Sequence, residues 1–270
     1  HTGSVNACAF GITSASRLLL ATAGDARTVR VWDAETGALI HELNGHAIWV
    51  RACAFGTTRT GRLLIATASW DRTVQIWDAE TGTRIHVLTD HTRAVNACAF
   101  GTSGDRLILA TAGDDATVRI WDPETGALIR ELIGHAGSVN ACTFGTTATR
   151  RLLLATAGWD EIVRVWDPDT GILTRELTGH AIWVRTCAFG ATEAGRLLLA
   201  TAGWDETVRV WAPEAGARTD EHVGHAGLVN ACAFGAAVTG RLLLATGGDD
   251  SRVRVWDAET GALVRELTGH

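Results

Sequence analysis

The chain has no methionine, only three prolines, no C-x-x-C pair, and no apolar run near the roughly 18 residues that a membrane-spanning helix needs. Each absence excludes something. Without a Met even at position 1, the sequence is expected to be an excised segment or processed product whose partner domains lie outside it. With so little proline and no low-complexity linker, no domain boundary is expected inside it. No stretch has the layout of a signal peptide. Lys and Arg number 24 against 30 Asp and Glu, so the net charge is −6 and nothing marks a surface for nucleic acid or anionic lipid. What is present, 270 residues of which 46% are hydrophobic, suits a soluble globular protein with a sizeable core.

The residues repeat. His1, His46, His91, His135, His180, His225 and His270 are spaced by 45, 45, 44, 45, 45 and 45 residues, and Trp32, Trp77, Trp121, Trp166, Trp211 and Trp256 keep the same rhythm. The single deletion falls in the loop "GTSGD" of the third copy, where shortening is cheapest. Each copy reads as four strands: "VNACAF", "RLLLATA", "TVRVW" and "ALIREL", punctuated by Gly and Asp. The apolar "LLLA" run suits a strand covered on both faces. One such sheet cannot bury both of its faces, whereas sheets stacked around an axis cover one another. The expected fold is all-β: a β-propeller of six four-stranded antiparallel blades forming one domain over 1–270. The blades are 1–45, 46–90, 91–134, 135–179, 180–224 and 225–270.

Six cysteines, Cys8, Cys53, Cys98, Cys142, Cys187 and Cys232, fall one per repeat on the same phase of the same strand. Equivalent positions in packed sheets lie about 10 Å apart, too far for a disulfide. They are expected to be buried free thiols, which favours a reducing compartment and a cytoplasmic location. The missing C-x-x-C argues against a zinc cage, and no cofactor or metal is expected.

A repeat of this length with Gly-His before its first strand and Trp-Asp closing its third resembles the WD-repeat propeller family. The resemblance covers the whole chain in six copies. It implies a hydrogen-bonded clamp of four residues per blade. These are His46, Thr67, Asp71 and Trp77; His91, Thr111, Asp115 and Trp121; His135, Thr156, Asp160 and Trp166; His180, Thr201, Asp205 and Trp211; His225, Thr246, Asp250 and Trp256. The chemistry fits: Asp accepts from His, His from Thr, and Thr from the indole N–H. A Thr-His-Asp set imitates a catalytic triad, but six copies suit a scaffold rather than an enzyme. Repeat 1 has His1, Thr22 and Trp32 but Ala26 in place of the Asp, so its clamp should be broken. Repeat 5 has Ala212 after Trp211 and a polar fourth strand, "ARTDEHV"; repeat 2 ends in Asp90 rather than Gly. The outer edge of blade 5 and the turn of blade 1 are expected to be the softest parts.

The resemblance also places three positions per repeat on one rim, around a central channel where partners of the family usually bind. They lie three and five residues after the His and one before the turn Asp. In order they are Ser4, Asn6 and Asp25; Trp49, Arg51 and Trp70; Ala94, Asn96 and Asp114; Ser138, Asn140 and Trp159; Trp183, Arg185 and Trp204; Leu228, Asn230 and Asp249. While most core positions hold nearly fixed among copies, these swing between Trp, Arg, Asp and small residues. All five Trp outside the Trp-Asp motif lie here. Trp and Arg carry much of the energy at protein interfaces. A plainer alternative has Trp49 and Trp183 capping blade ends, with Arg51 and Arg185 paired to Asp25 or Asp160. Repeats 1–3 also resemble 4–6 at an offset of 134 residues.

The function expected is a non-enzymatic recognition module that takes a protein or peptide at the rim, with no nucleic acid or membrane partner. Similar copies with variable rims resemble the sensor regions of bacterial and fungal signalling NTPases and kinases, which implies a signalling or defence role. The alternative is a propeller that binds small molecules or glycans. Members of the family most often have seven blades. Here a closed monomeric ring of six is expected, with blade 1 packing on blade 6; an open fragment, or an oligomer completing a larger ring, is the runner-up.

Overall fold

A computed structural model describes residues 3–223 and 225–269, and leaves the side chains of His222 and Val223 undescribed. His1, one member of the expected blade-1 clamp, and His270 lie outside the described residues. The chain is all-β and forms six four-stranded antiparallel sheets, one per repeat, consistent with a six-bladed β-propeller. In blade 2 the strands are Val50–Thr57, Leu63–Ser69, Val74–Asp78 and Arg84–Leu88, hydrogen-bonded in chain order. The residues fall into two compact units, 1–134 with three blades and 135–270 with three. That division coincides with the 134-residue internal resemblance.

Within each unit the sheets stack face to face. Leu19, Ala21, Ala23, Val29 and Val31 of blade 1 pack against Val50, Cys53, Ile65 and Trp77 of blade 2. In the second unit Leu198, Ala200, Ala202, Val208 and Val210 of blade 5 receive Val229, Leu242, Leu244 and Trp256 of blade 6, with Cys232 and Phe234 beside them. Burying one such indole, about 200 Å² at roughly 25 cal/mol per Å², contributes on the order of 5 kcal/mol. That exceeds the roughly 1 kcal/mol net of a single hydrogen bond. Burial of the indole therefore holds the sheets together, and its N–H bond sets its orientation.

A second feature fixes the spacing. Every first strand carries an adjacent Phe-Gly pair, and side chains alternate across a strand, so the two point to opposite faces. A Cβ on Gly11, Gly56, Gly145 or Gly190 would fall 2.5 Å from Cγ of Phe55, Phe100, Phe189 or Phe234 of the next blade. The missing side chain is the hole into which the neighbouring ring fits.

Two expectations need correction. The second strands of blades 2 to 5 are buried on both faces, but Leu18–Gly24 of blade 1 and Leu242–Gly248 of blade 6 alternate between buried and half-buried residues. In each of these two strands the half-buried residues fall mainly on one face. Cys8 is exposed, whereas Cys53, Cys98 and Cys142 are buried and Cys187 and Cys232 half-buried. All six are free thiols, and burial pushes Cys53, Cys142 and Cys232 up to about 12.

The clamp residues of blades 2 to 6 meet. The indole N–H donates to Thr Oγ1 at 2.8–3.1 Å, Thr Oγ1 lies 2.8–2.9 Å from His Nε2, and His Nδ1 lies 2.8–3.0 Å from the Asp carboxylate. The five threonines are at most 1% exposed, so no substrate reaches their hydroxyls. The Asp also accepts from the backbone: Asp71 takes the Ala47 N–H at 2.9 Å and the Thr73 N–H at 2.9 Å, tying the loop after His46 to the hairpin turn. In blade 1, where Ala26 replaces the Asp, Trp32 still donates to Thr22 at 2.9 Å.

A fifth member was not read from the sequence. In blades 3 to 6 a buried arginine two residues before the Trp donates to the same carboxylate: Arg119 at 2.9 Å, Arg164 at 2.5 Å, Arg209 at 2.6 Å and Arg254 at 2.7 Å. Each is also paired with a fourth-strand glutamate, Glu131, Glu176, Glu221 or Glu266. Blade 2 has Gln75 instead. In "TVRVW" this Arg passes for the polar half of an ordinary strand alternation. The fourth strand of blade 5, Ala217–Val223, forms despite its polar sequence, held by Glu221 with Arg209 and by Thr219 Oγ1 donating to Val210 O at 3.0 Å.

Asp115→Ala removes an acceptor shared by His91, Arg119, Thr117 and the Thr92 N–H, and is expected to cost about 1–3 kcal/mol in a denaturant melt. The clamps also set the acid limit. Burial pushes the Asp71, Asp115, Asp160, Asp205 and Asp250 carboxyls up, but hydrogen bonds from His, Thr, Arg and backbone outweigh it and hold all five well below the ordinary 3.8. With folded values depressed, their stabilisation is complete above 3.8 and is lost as pH falls from there toward the lower folded values. The melting temperature set by these carboxylates should therefore hold steady down to about pH 5 and fall steeply below pH 4, less steeply in Asp115→Ala.

Candidate functional site: the aromatic rim

The same end of every blade carries the loop that follows the His and the turn between the second and third strands. Two backbone devices fix the three rim positions there. First, the residue before the turn Asp donates its N–H to the carbonyl three residues after the His. Examples are Trp70 to Trp49 at 3.1 Å, Trp159 to Ser138 at 2.9 Å, Trp204 to Trp183 at 2.9 Å and Asp249 to Leu228 at 2.9 Å. Asp25 to Ser4 and Asp114 to Ala94 repeat the bond. Second, the first strand is bulged in all six blades at the residue five after the His. In blade 2 Val50 pairs with Ser69 and Ala52 with Ala68, leaving Arg51 outside the ladder. A bulge re-aims a side chain without disturbing the pairing beyond it. Each sequence-predicted triplet is thus brought together within its blade.

The side chains then fall into two sets. In blades 1, 3 and 6 the bulged Asn donates to the turn carboxylate: Asn6 to Asp25 at 2.8 Å, Asn96 to Asp114 at 2.6 Å and Asn230 to Asp249 at 2.5 Å. In blade 2 an Arg-Trp pair takes the same two places, with the Arg51 guanidinium 5.4 Å from the centre of the Trp70 ring. Blade 4 mixes the sets: with Trp159 in the turn, Asn140 donates to Val184 O of blade 5 at 3.2 Å. Between blade 2 and blades 1, 3 and 6 the substitution is therefore one of pairs, a hydrogen-bonded polar pair for a cation over an indole.

Two aromatic patches result, one in each unit. In the first, Trp49 and Trp70 lie 5.1 Å apart at 37°. In the second, Trp159 of blade 4 stacks on Trp183 of blade 5 at 4.2 Å and 5°, and Trp183 meets Trp204 at 4.6 Å and 42°. Trp49, Trp70, Trp159 and Trp204 are 42%, 39%, 45% and 37% exposed, and Trp183 is half-buried between its neighbours. The Trp of the clamps in blades 2 to 6 are at most 6% exposed, so rim and core indoles differ in kind. Arg51 lies on Trp70, while Asp25 is engaged by Asn6 and Asp160 by His135 and Arg164. Arg185 is half-buried.

Two members of these patches were missed. Ile48 and Ile182, each 44% exposed, precede Trp49 and Trp183 and extend the apolar surface. The signal was present: this position reads Gly, Ile, Arg, Gly, Ile and Gly along the copies, with Ile only beside the Trp-Val-Arg version. Among the described residues no group of three or more His, Cys, Asp or Glu is arranged to hold a metal ion, and no helix is long and apolar enough to cross a membrane.

Trp183 is the central ring of its stack. Trp183→Ala is expected to remove from the circular dichroism spectrum the indole coupling of Trp183 with both Trp159 and Trp204, leaving only that of the Trp49–Trp70 pair, which Trp49→Ala removes instead. A spectrum unchanged by Trp183→Ala would contradict the stacked geometry.

The comparison with curated proteins gave no match. The family described as WD domain, G-beta repeat matches over residues 1–33, 37–78, 82–122, 126–167, 171–212 and 217–257. Repeats of this family are generally protein-interaction scaffolds, typically non-enzymatic, that bind proteins or peptides. With the match spread over all six sheets and most of the chain, the protein belongs to the WD-repeat family.

Proposed function

We propose that this chain is a non-enzymatic recognition module that holds a protein or peptide through its aromatic rim. One observation carries the reading: three indoles of blades 4 and 5 are packed on one another yet two of them remain well exposed, beside exposed Ile182. An apolar patch of this kind on a protein with a well-buried core marks a contact surface. Stacking also fixes the rings before a partner arrives, so little side-chain freedom is lost on binding. Trp49, Arg51 and Trp70 supply a smaller patch of the same chemistry. The Asn-Asp pairs Asn6–Asp25, Asn96–Asp114 and Asn230–Asp249 give the other blades a polar, acidic rim that disfavours acidic partners.

The exchange of rim side chains on an unchanged backbone supports a narrower reading, the sensor region of a larger signalling or defence protein, because specificity is altered there without touching the core. Six free thiols, several with strongly raised pKa, fit a cytoplasmic setting.

A peptide library selected on the intact chain, with a glycan array run beside it, tests the proposal. Peptides carrying an apolar anchor should be enriched and the glycans should not bind. The triple variant with Trp70, Trp159 and Trp204 changed to Ala should lose capture of the selected peptides while its stability changes by no more than about 0.5 kcal/mol per site, as for exposed positions. Undiminished capture would remove the rim from the account, and selective glycan binding would replace the peptide reading.

A further inference from the structure

Each aromatic patch contains a Trp-Arg-Trp triplet with an Ile before it, yet the charges in the turns beside the two patches are opposite. The residue that follows the turn Asp, or follows Ala26 in blade 1, is Arg27, Arg72 and Ala116 in the first unit and Glu161, Glu206 and Ser251 in the second. All six lie at positive φ, between 58° and 72°. That conformation favours Gly or Asn, so the turn itself gains nothing from Arg or Glu there. Arg27, Arg72, Glu161 and Glu206 are exposed, and none makes a side-chain hydrogen bond or ion pair with a described residue.

A second difference concerns the indoles. Blade 2 supplies its own cation from the bulge, with the Arg51 guanidinium 5.4 Å from the centre of the Trp70 ring. Blade 5 has Arg185 at the same position beside Trp204. In blade 4 the bulged residue is Asn140, which donates to Val184 O at 3.2 Å, so this blade brings no bulge cation to Trp159. Trp159 stacks on Trp183 and is still 45% exposed. An indole face attracts a cation, and a carboxylate two residues further along the same turn, Glu161, adds to the attraction.

We propose that the stack of blades 4 and 5 takes a basic peptide, with a Lys or Arg side chain of the partner lying over Trp159 and paired with Glu161; this rests on the rim being the binding surface. Trp183 and exposed Ile182 hold an apolar neighbour of that residue, and Glu206 in the blade-5 turn attracts a second cation. Blade 2 rejects the same peptide, because Arg51 already occupies its indole and exposed Arg72 repels an incoming cation.

A peptide library is selected on the chain carrying Trp49→Ala and Trp70→Ala, which leaves the stack as the aromatic patch. The retained pool should be rich in Lys and Arg, and poor in Asp and Glu, beside an apolar anchor. One retained peptide is then measured by fluorescence anisotropy against Glu161→Arg and Asn140→Arg in the same background. Arg stands at both corresponding positions of blade 2, as Arg72 and Arg51, so the blade accepts either change and the melting curve should not move. Each variant should bind the peptide about five-fold more weakly, through the lost carboxylate in one and a built-in competitor for the indole in the other. Added salt should weaken binding to the parent more than to Glu161→Arg. A pool without an excess of Lys and Arg, or an affinity unchanged by either substitution, overturns the proposal; apolar anchors retained in that case leave the rim standing as a peptide site. A chain that retains no peptide at all overturns both.

Discussion

Everything in this protein depends on a flat sheet finding another flat sheet. A four-stranded blade buries one face on its predecessor and leaves the other to its successor, and the ring of a Phe entering the hole left by a Gly sets how closely they approach. A Cβ at that glycine would collide at 2.5 Å, well inside van der Waals contact, so the approach tolerates no larger residue. The indole that closes the third strand is buried in the same interface, and the clamp orients it. Core and rim are connected through this arrangement. The carboxylate that holds the His also holds the backbone of the loop and the turn, and the rim side chains stand on those two segments.

The chain can afford rim variation because the bulge isolates it. Beyond the bulge the ladder resumes in the same register whichever residue sits outside it: Cys53 faces Thr67 and Cys142 faces Thr156 although one blade carries Arg51 and the other Asn140. The clamp lies on the interior side of that boundary and the indole stack on the exterior side. A change of rim side chain therefore leaves the ladder register intact, whereas loss of a clamp carboxylate would free the loop and turn on which the rim stands.

Much of this was legible in the sequence for a physical reason: a residue repeated at a fixed interval must do the same thing each time. With the resemblance to the WD-repeat family supplying their roles, the four-member clamp and the rim triplets could be placed in every copy because each position recurs. Three features could not. The clamp arginines, Arg119, Arg164, Arg209 and Arg254, recur as regularly but sit at an alternation point where a strand ordinarily shows a charge to water, and only coordinates reveal them buried. The bulge leaves no mark in composition, because Val-Asn-Ala and Val-Arg-Ala read as ordinary strand. The exposure of Cys8 and Phe10 is invisible to repetition altogether, since their own residue types match those of more buried copies.

The Phe-and-Gly fit has a consequence for how such proteins change over generations. Since each blade presents the same two faces as every other, a blade duplicated or lost by recombination leaves junctions that are chemically identical to the old ones. No single contact counts the blades. Arrays of different length then become neighbours in evolution, separated by one crossover instead of by many compensating substitutions.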